Sequence, residues 1–206
     1  MTAMKPKTDG QETRALTEAP ELRGSTGAAG EVRTAVGYAT KYNVQTDIGG
    51  YWTEVIAPGA FDASLQKRDV IAVHTHNTGR ILGRKNAGTL TLRSDATGLA
   101  FENQLPDTTD GRDLAVQIDR GDIAGMSFGF RSVKEEWDES IDPPKRTILE
   151  ADLYEITYTP LPAYPDTEVG LRSLEGARQE RREHNKSAAS CRIARRMRLQ
   201  HTERKL

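Results

Sequence analysis

Hydrophobic positions in this chain come in short runs. From Val36 to about Val169, segments rich in Val, Ile, Leu, Thr and aromatic residues alternate with Gly, Asp, Asn and Pro, the spacing of a small barrel or sandwich and not of βαβ units. The runs predict strands near Val36 to Tyr42, Thr53 to Ile56, Val70 to His76, Thr89 to Arg93, Leu99 to Leu105, Ser127 to Trp137 and Arg146 to Thr159. Asp47 to Gly50, Asn86 to Gly88 and Asp95 to Gly98 read as turns, and Asp142 to Lys145 as a hairpin-like connection. One helix stands out: Asp110 can cap it, Leu114, Ala115 and Ile118 recur at helical spacing, and Gly121 stops it. A shorter helical turn is expected after Phe61.

The ends differ from this middle. Residues 1–34 have no apolar period and predict a disordered leader. Glu175 to Leu199 has few helix breakers, but its apolar residues are mostly Ala, so a helix there buries little by itself and reads as an arm. The expected organisation is a leader over 1–34, one domain over 35–172 and a basic, helix-prone tail over 173–206.

Composition agrees with a modest core. The 206 residues suit one domain with tails, and 36% hydrophobic against 29% charged residues is lean for a fully packed chain. The net charge of -1 conceals an asymmetry. Residues 175–206 carry ten basic and four acidic side chains, residues 1–34 carry five of each, and the middle is therefore acidic. Cys191 is the single cysteine, so no internal disulfide and no cysteine zinc cluster can form. No apolar run is long enough to cross a bilayer, and the N-terminus lacks the apolar stretch of a secretory signal. A soluble protein of a reducing cytoplasm is expected, with no membrane partner.

Candidate chemistry begins at Gly125-Met-Ser-Phe-Gly129, which fits the G-x-S-x-G pattern of a hydrolase nucleophile elbow. That elbow needs a helix after the serine, whereas Phe128 to Val133 reads as a strand. The pattern therefore marks Ser127 without an α/β-hydrolase around it. Strict alternation over Val70 to His76 would put His74 and His76 on one strand face, either of which could meet a serine on a neighbouring strand. Two such histidines could also begin a metal site, but no further ligands stand at suitable spacing. A histidine that merely ends a strand is the plainer alternative. In Leu149 to Tyr158 the same alternation groups Leu153, Glu155 and Thr157. A partly desolvated Glu155 requires a partner, either a histidine or an arginine such as Arg84. His76, Ser127 and Glu155 would supply the base, nucleophile and orienting acid of a serine protease.

Several segments together resemble a known family. Gly37-Tyr-Ala39, Glu54 to Phe61, His76 to Arg84, Gly98-Leu99, Gly125 to Phe130, Leu153 to Thr157 and Pro162-Ala-Tyr-Pro165 resemble, in order, the prohead maturation proteases of tailed bacteriophages. The resemblance implies a mainly β (α+β) fold, a small and mostly antiparallel β-barrel with flanking helices like the herpesvirus capsid-assembly protease. It implies a serine endopeptidase acting inside the immature capsid, in the host bacterial cytoplasm, on scaffold or on the scaffold-like part of the major capsid protein, and on itself. The family's histidine, serine and acid fall on His76, Ser127 and Glu155. Asn77 replaces the acid that often follows the histidine, and Thr157 replaces the usual serine of the last motif; His74 is the fallback helper. No metal or organic cofactor is required, and a homo-oligomer is allowed.

The rival class is a non-catalytic capsid-assembly protein with a basic docking arm. A tail of this charge could attract phosphate, but it has no aromatic residues for base stacking and its acids dilute the field, so nucleic acid is not the expected partner. Docking to capsid or scaffold protein and removal by self-cleavage are equal readings of the tail, beside that of a solvated charged helix.

Overall fold

The computed structural model describes residues 10–27, 30–160 and 178–179. Eleven strands and two helices occur among them. In chain order these are β1 (Glu12–Leu16), β2 (Glu21–Gly27), β3 (Gly30–Lys41), β4 (Thr46–Ile48), β5 (Trp52–Ile56), α1 (Asp62–Lys67), β6 (Ile71–His74), β7 (Asn77–Arg84), β8 (Leu90–Ser94), β9 (Gly98–Gln104), α2 (Thr109–Asp119), β10 (Gly125–Asp138) and β11 (Lys145–Thr159). The mainly β expectation holds. Hydrogen bonding groups the strands into a seven-stranded and a four-stranded sheet, with no ladder closing them into a ring.

The long strand β11 organises the larger sheet. One edge pairs antiparallel with β10, whose other edge carries β1. The opposite edge of β11 is shared: Lys145 to Ile148 pair in parallel with β5, and Glu155 to Tyr158 pair in parallel with β6. Between those stretches, the segment around α1 satisfies the exposed donors. The Ala151 N–H donates to the Ala60 carbonyl at 2.8 Å and the Leu153 N–H to Ser64 Oγ at 2.8 Å. Ser64 is buried for this reason, since a strand amide left without an acceptor in the interior is costly.

A bulge is decisive for the site. Glu155 faces Gly129 across the β10–β11 ladder, but Leu153 faces Phe130, so Tyr154 is the extra residue. Leu153 thereby joins the apolar core with Phe128, Phe130, Ile156, Tyr158 and Phe61. The simple alternation that grouped Leu153 with Glu155 and Thr157 breaks at this point.

Three sequence expectations are corrected. The segment read as a disordered leader contributes β1, β2 and the start of β3. Its pattern misled because β1 buries charged side chains: Glu12 and Arg14 are 3% and 5% exposed. The run expected as one strand from Val70 to His76 ends at His74, turns, and returns as β7. Thr108, not Asp110, caps α2, its hydroxyl accepting from the Gly111 N–H at 3.3 Å, while Asp110 pairs with Arg80 at 2.7 Å. The Pro162 to Pro165 motif lies outside the described residues, as does the tail apart from Arg178 and Gln179.

Candidate active site

Ser127 sits near the start of β10, between Ala15 of β1 and Thr157 of β11. Glu155 lies two residues before Thr157, on the same face and opposite Gly129. A Cβ at Gly129 would stand 3.0 Å from Glu155 Cγ, tighter than side chains normally tolerate, so this glycine makes room for the carboxylate. At Gly125 a Cβ would run into the Leu16 carbonyl of β1. The two glycines of the G-x-S-x-G pattern thus admit neighbours, one an acid and the other a strand.

His76 arrives from a different device. His74 and Asn77 pair across a two-residue hairpin loop, and both loop residues have positive φ, 49° at Thr75 and 56° at His76. Such loops match the twist of the flanking strands but favour Asn and Gly. A β-branched residue in this region is strained, at a cost of roughly 1–2 kcal/mol for each non-glycine residue. Two bonds to β11 hold the loop: the Thr75 N–H donates to the Tyr158 carbonyl at 3.1 Å, and the His76 N–H donates to Thr157 Oγ1 at 3.0 Å. The Thr157 hydroxyl in turn donates to the Val73 carbonyl at 3.1 Å. Thr157 is fully buried, so its hydroxyl fastens the histidine loop at both ends.

The result is a line of three side chains, each within hydrogen-bonding reach of the next. Glu155 Oε1 lies 2.6 Å from His76 Nδ1, and His76 Nε2 lies 3.0 Å from Ser127 Oγ. A carboxylate at Nδ1 holds the proton there and leaves Nε2 as the acceptor facing the serine. Glu155 is buried and the His76 side chain is 26% exposed. This geometry can accept a proton from the serine hydroxyl and stabilise the imidazolium that results.

The other candidates fall elsewhere. His74 is buried, beside Arg80 and Asp110; burial pushes its pKa down and Arg80 adds to the fall. Arg84 pairs with Asp69 at 2.6 Å and leaves Glu155 to His76. Asp152 binds Arg68 at 2.6 Å and Arg131 at 2.9 Å; the bond from Arg68 is the main cause of a pKa below the ordinary carboxylate value. Asn77 Oδ1 accepts from the Gly79 N–H at 2.9 Å and so helps shape the start of β7.

Sequence reasoning missed β1 altogether. The Ser127 hydroxyl donates to the Arg14 carbonyl at 2.7 Å, and Ser127 is 0% exposed. On the opposite face of the sheet, Arg14 binds Glu54 with Nε at 2.6 Å and Nη2 at 2.9 Å, and also Glu12 at 2.6 Å. Arg146 completes the cluster, reaching Glu12 at 2.7 Å and Glu54 at 2.9 Å and also pairing with Glu135. Burial alone would pull the Arg14 pKa down, yet Glu54 and Glu12 together raise it above its usual value. The available signal was the Glu12-Thr-Arg14 alternation, which reads as polar because the buried face is an ion cluster.

Comparison with known proteins places this geometry in context. Residues 20–181 match the model of the caudovirus prohead serine protease family. The chain belongs to that family. It is 31% identical over 146 residues to the prohead protease of Enterobacteria phage HK97, an alignment covering 68% of this chain. The chain spans 60% of the length of that relative. Its fold is similar to that of the bacteriophage T4 capsid assembly protease, with a TM-score of 0.50 and 9% identity over 72% of this chain and 97% of the other.

Proposed function

We propose that this chain is a serine endopeptidase of phage prohead maturation, with Ser127 as nucleophile, His76 as general base and Glu155 as the acid that orients it. The observation that carries the reading is the alignment of Glu155, His76 and Ser127, at 2.6 and 3.0 Å, in a member of the prohead serine protease family. Ser127 Oγ attacks the scissile carbonyl as its proton passes to His76 Nε2, and the imidazolium returns that proton to the leaving amine. Water, deprotonated by the same imidazole, then hydrolyses the acyl ester. Oriented proton transfer of this kind contributes about 10²–10⁴-fold to rate.

The substrates are scaffold protein or the scaffold-like part of a major capsid protein, met inside the prohead in the host cytoplasm. The fold is read as related to that of the herpesvirus capsid-assembly protease, with the domain over 35–172 extended towards the N-terminus to include β1 and β2. The basic tail either docks with the capsid or scaffold protein or is removed by self-cleavage. Deleting residues 175–206 separates the two: loss of incorporation into capsids with peptidase activity intact selects docking.

Ser127→Ala and His76→Ala should each fold and fail to cleave the cognate capsid or scaffold precursor. Unaltered processing by either variant refutes the assignment. A serine-directed fluorophosphonate should modify Ser127 in an activated preparation, which a purely structural assembly protein would not show.

A further inference from the structure

We propose that β1 is a built-in pseudosubstrate: it occupies the edge of β10 where a substrate strand binds, and Glu54 reads a basic side chain at the residue whose carbonyl meets Ser127. This inference rests on the serine-peptidase reading and adds to it the substrate's conformation, its charge and a reason for latency.

Three observations converge. First, β1 is an edge strand held antiparallel on β10, with Ala15 opposite Ser127. An extended peptide adding to a sheet edge makes the same ladder with any sequence, so main-chain bonds supply affinity and side-chain pockets supply selectivity. Second, the backbone atom delivered to the nucleophile is a carbonyl oxygen, that of Arg14, at 2.7 Å from Ser127 Oγ. The serine has one proton to donate. Given to Arg14, it is not directed at His76 Nε2, so this arrangement holds the nucleophile at rest. Third, Ser127 is 0% exposed under β1. An incoming peptide can reach Ser127 only after β1 has left the edge.

The arginine pocket follows from the same strand. Arg14 lies on the face opposite the serine, where Glu54 grips its guanidinium through both carboxylate oxygens, at 2.6 and 2.9 Å. A narrow cleft lined by Arg14, Glu54, Thr46, Val44 and Phe128 runs beside it. When β1 leaves, Arg14 and Glu12 leave together, a neutral pair. Glu54 then loses its bidentate partner and keeps only the bond that Arg146 donates to its Oε2 at 2.9 Å, so its Oε1 faces the vacated position. A bidentate arginine restores that grip, a glutamate would set a second carboxylate against Glu54, and a leucine would leave Glu54 Oε1 without the guanidinium that Arg14 supplies. The substrate is therefore an extended peptide with arginine, or less favourably lysine, at the residue supplying the scissile carbonyl.

The test uses the full chain. A recognition sequence for a site-specific endopeptidase is inserted between Thr17 and Pro20, the protein is folded, and β1 is then cut free and removed. Fluorophosphonate labelling of Ser127 should accelerate at least tenfold on removal. Adding back a synthetic peptide of residues 10–18 should slow it again, and the same peptide with Arg14→Glu should not. In the cut protein, peptides with arginine at the cleavage residue should be hydrolysed at least tenfold more efficiently than those with leucine, and Glu54→Gln should erase that ratio. Equal labelling before and after removal of β1, or no preference for arginine, overturns the inference while leaving the peptidase intact. If Ser127 is never labelled and the precursor is never cleaved, the peptidase reading fails instead. Should Glu54→Gln not fold, the two peptides still decide the matter, because they require no variant protein.

Discussion

Thr157→Val is a sharp test of how the site is assembled, because it removes one hydroxyl and almost no volume. In the native protein that hydroxyl accepts from the His76 N–H at 3.0 Å and donates to the Val73 carbonyl at 3.1 Å. Valine leaves both backbone groups without their partner. Each orphaned buried group costs about 1–3 kcal/mol, which sums to roughly 2–6 kcal/mol of stability for the pair. The kinetic effect should be larger than the folding effect suggests. Thr75 and His76 hold strained positive φ, and without the anchor the loop can relax and withdraw the imidazole from Ser127. A displacement of about 1 Å is enough to lower catalysis by the order of 100-fold. Urea unfolding should show the stability loss, and cleavage of the capsid precursor a kcat/KM about two orders of magnitude below wild type. Thr157→Ser keeps the hydroxyl and loses only a methyl, so it should lose about 1 kcal/mol and keep activity within a few-fold. If valine matches wild type in activity, or serine falls as far as valine, the hydroxyl does not hold the histidine and the reasoning is wrong.

Other consequences follow from the same geometry. Gly129→Ala should push the Glu155 carboxylate off His76, since its Cβ would meet Glu155 Cγ at 3.0 Å; activity should drop about tenfold or more with the fold kept, as circular dichroism would show. Glu155→Gln should lower kcat by about 100-fold or more without unfolding the protein, whereas Asp152→Asn, which only releases Arg68 and Arg131, should leave kcat nearly unchanged. His74 has a folded pKa below its ordinary 6.5, so the unfolded chain takes up its proton first as pH falls. Its contribution to stability is full above about pH 6.5 and is lost on acidification through the folded pKa. His74→Gln should flatten that part of the stability profile, measured by urea midpoints across the range.

What the sequence made legible divides along physical lines. Strands such as β5, β9 and the first half of β10 declared themselves as β-prone runs bounded by turn signals. The short helix after Phe61 and α2 were legible from turn and periodic signals, although the cap moved from Asp110 to Thr108. The three side chains named by the motifs do lie within hydrogen-bonding distance of one another. Their placement was not legible: His76 is on a strained loop, not on the strand face shared with His74. Local pattern cannot reveal a loop held in the left-handed region by a hydroxyl 81 residues later in the chain. Nor does alternation survive a bulge, which is why Leu153 and Glu155 part company.

The hardest element to read was β1, and the reason bears on function. Its inward face is Glu12 and Arg14, buried only because Glu54 and Arg146 meet them from β5 and β11. A buried ion cluster is a poor way to gain stability, since replacing such a cluster with apolar residues is often neutral or favourable. Breaking one partner away from it, in contrast, costs about 3–5 kcal/mol. An apolar strand in this position would hold the edge of β10 permanently by hydrophobic burial. A charged one holds it through a pairing that a competing cation can replace. The choice of arginine and glutamate at this one strand is therefore the choice expected of a contact that must be both specific and exchangeable, and it sits at the carbonyl facing Ser127.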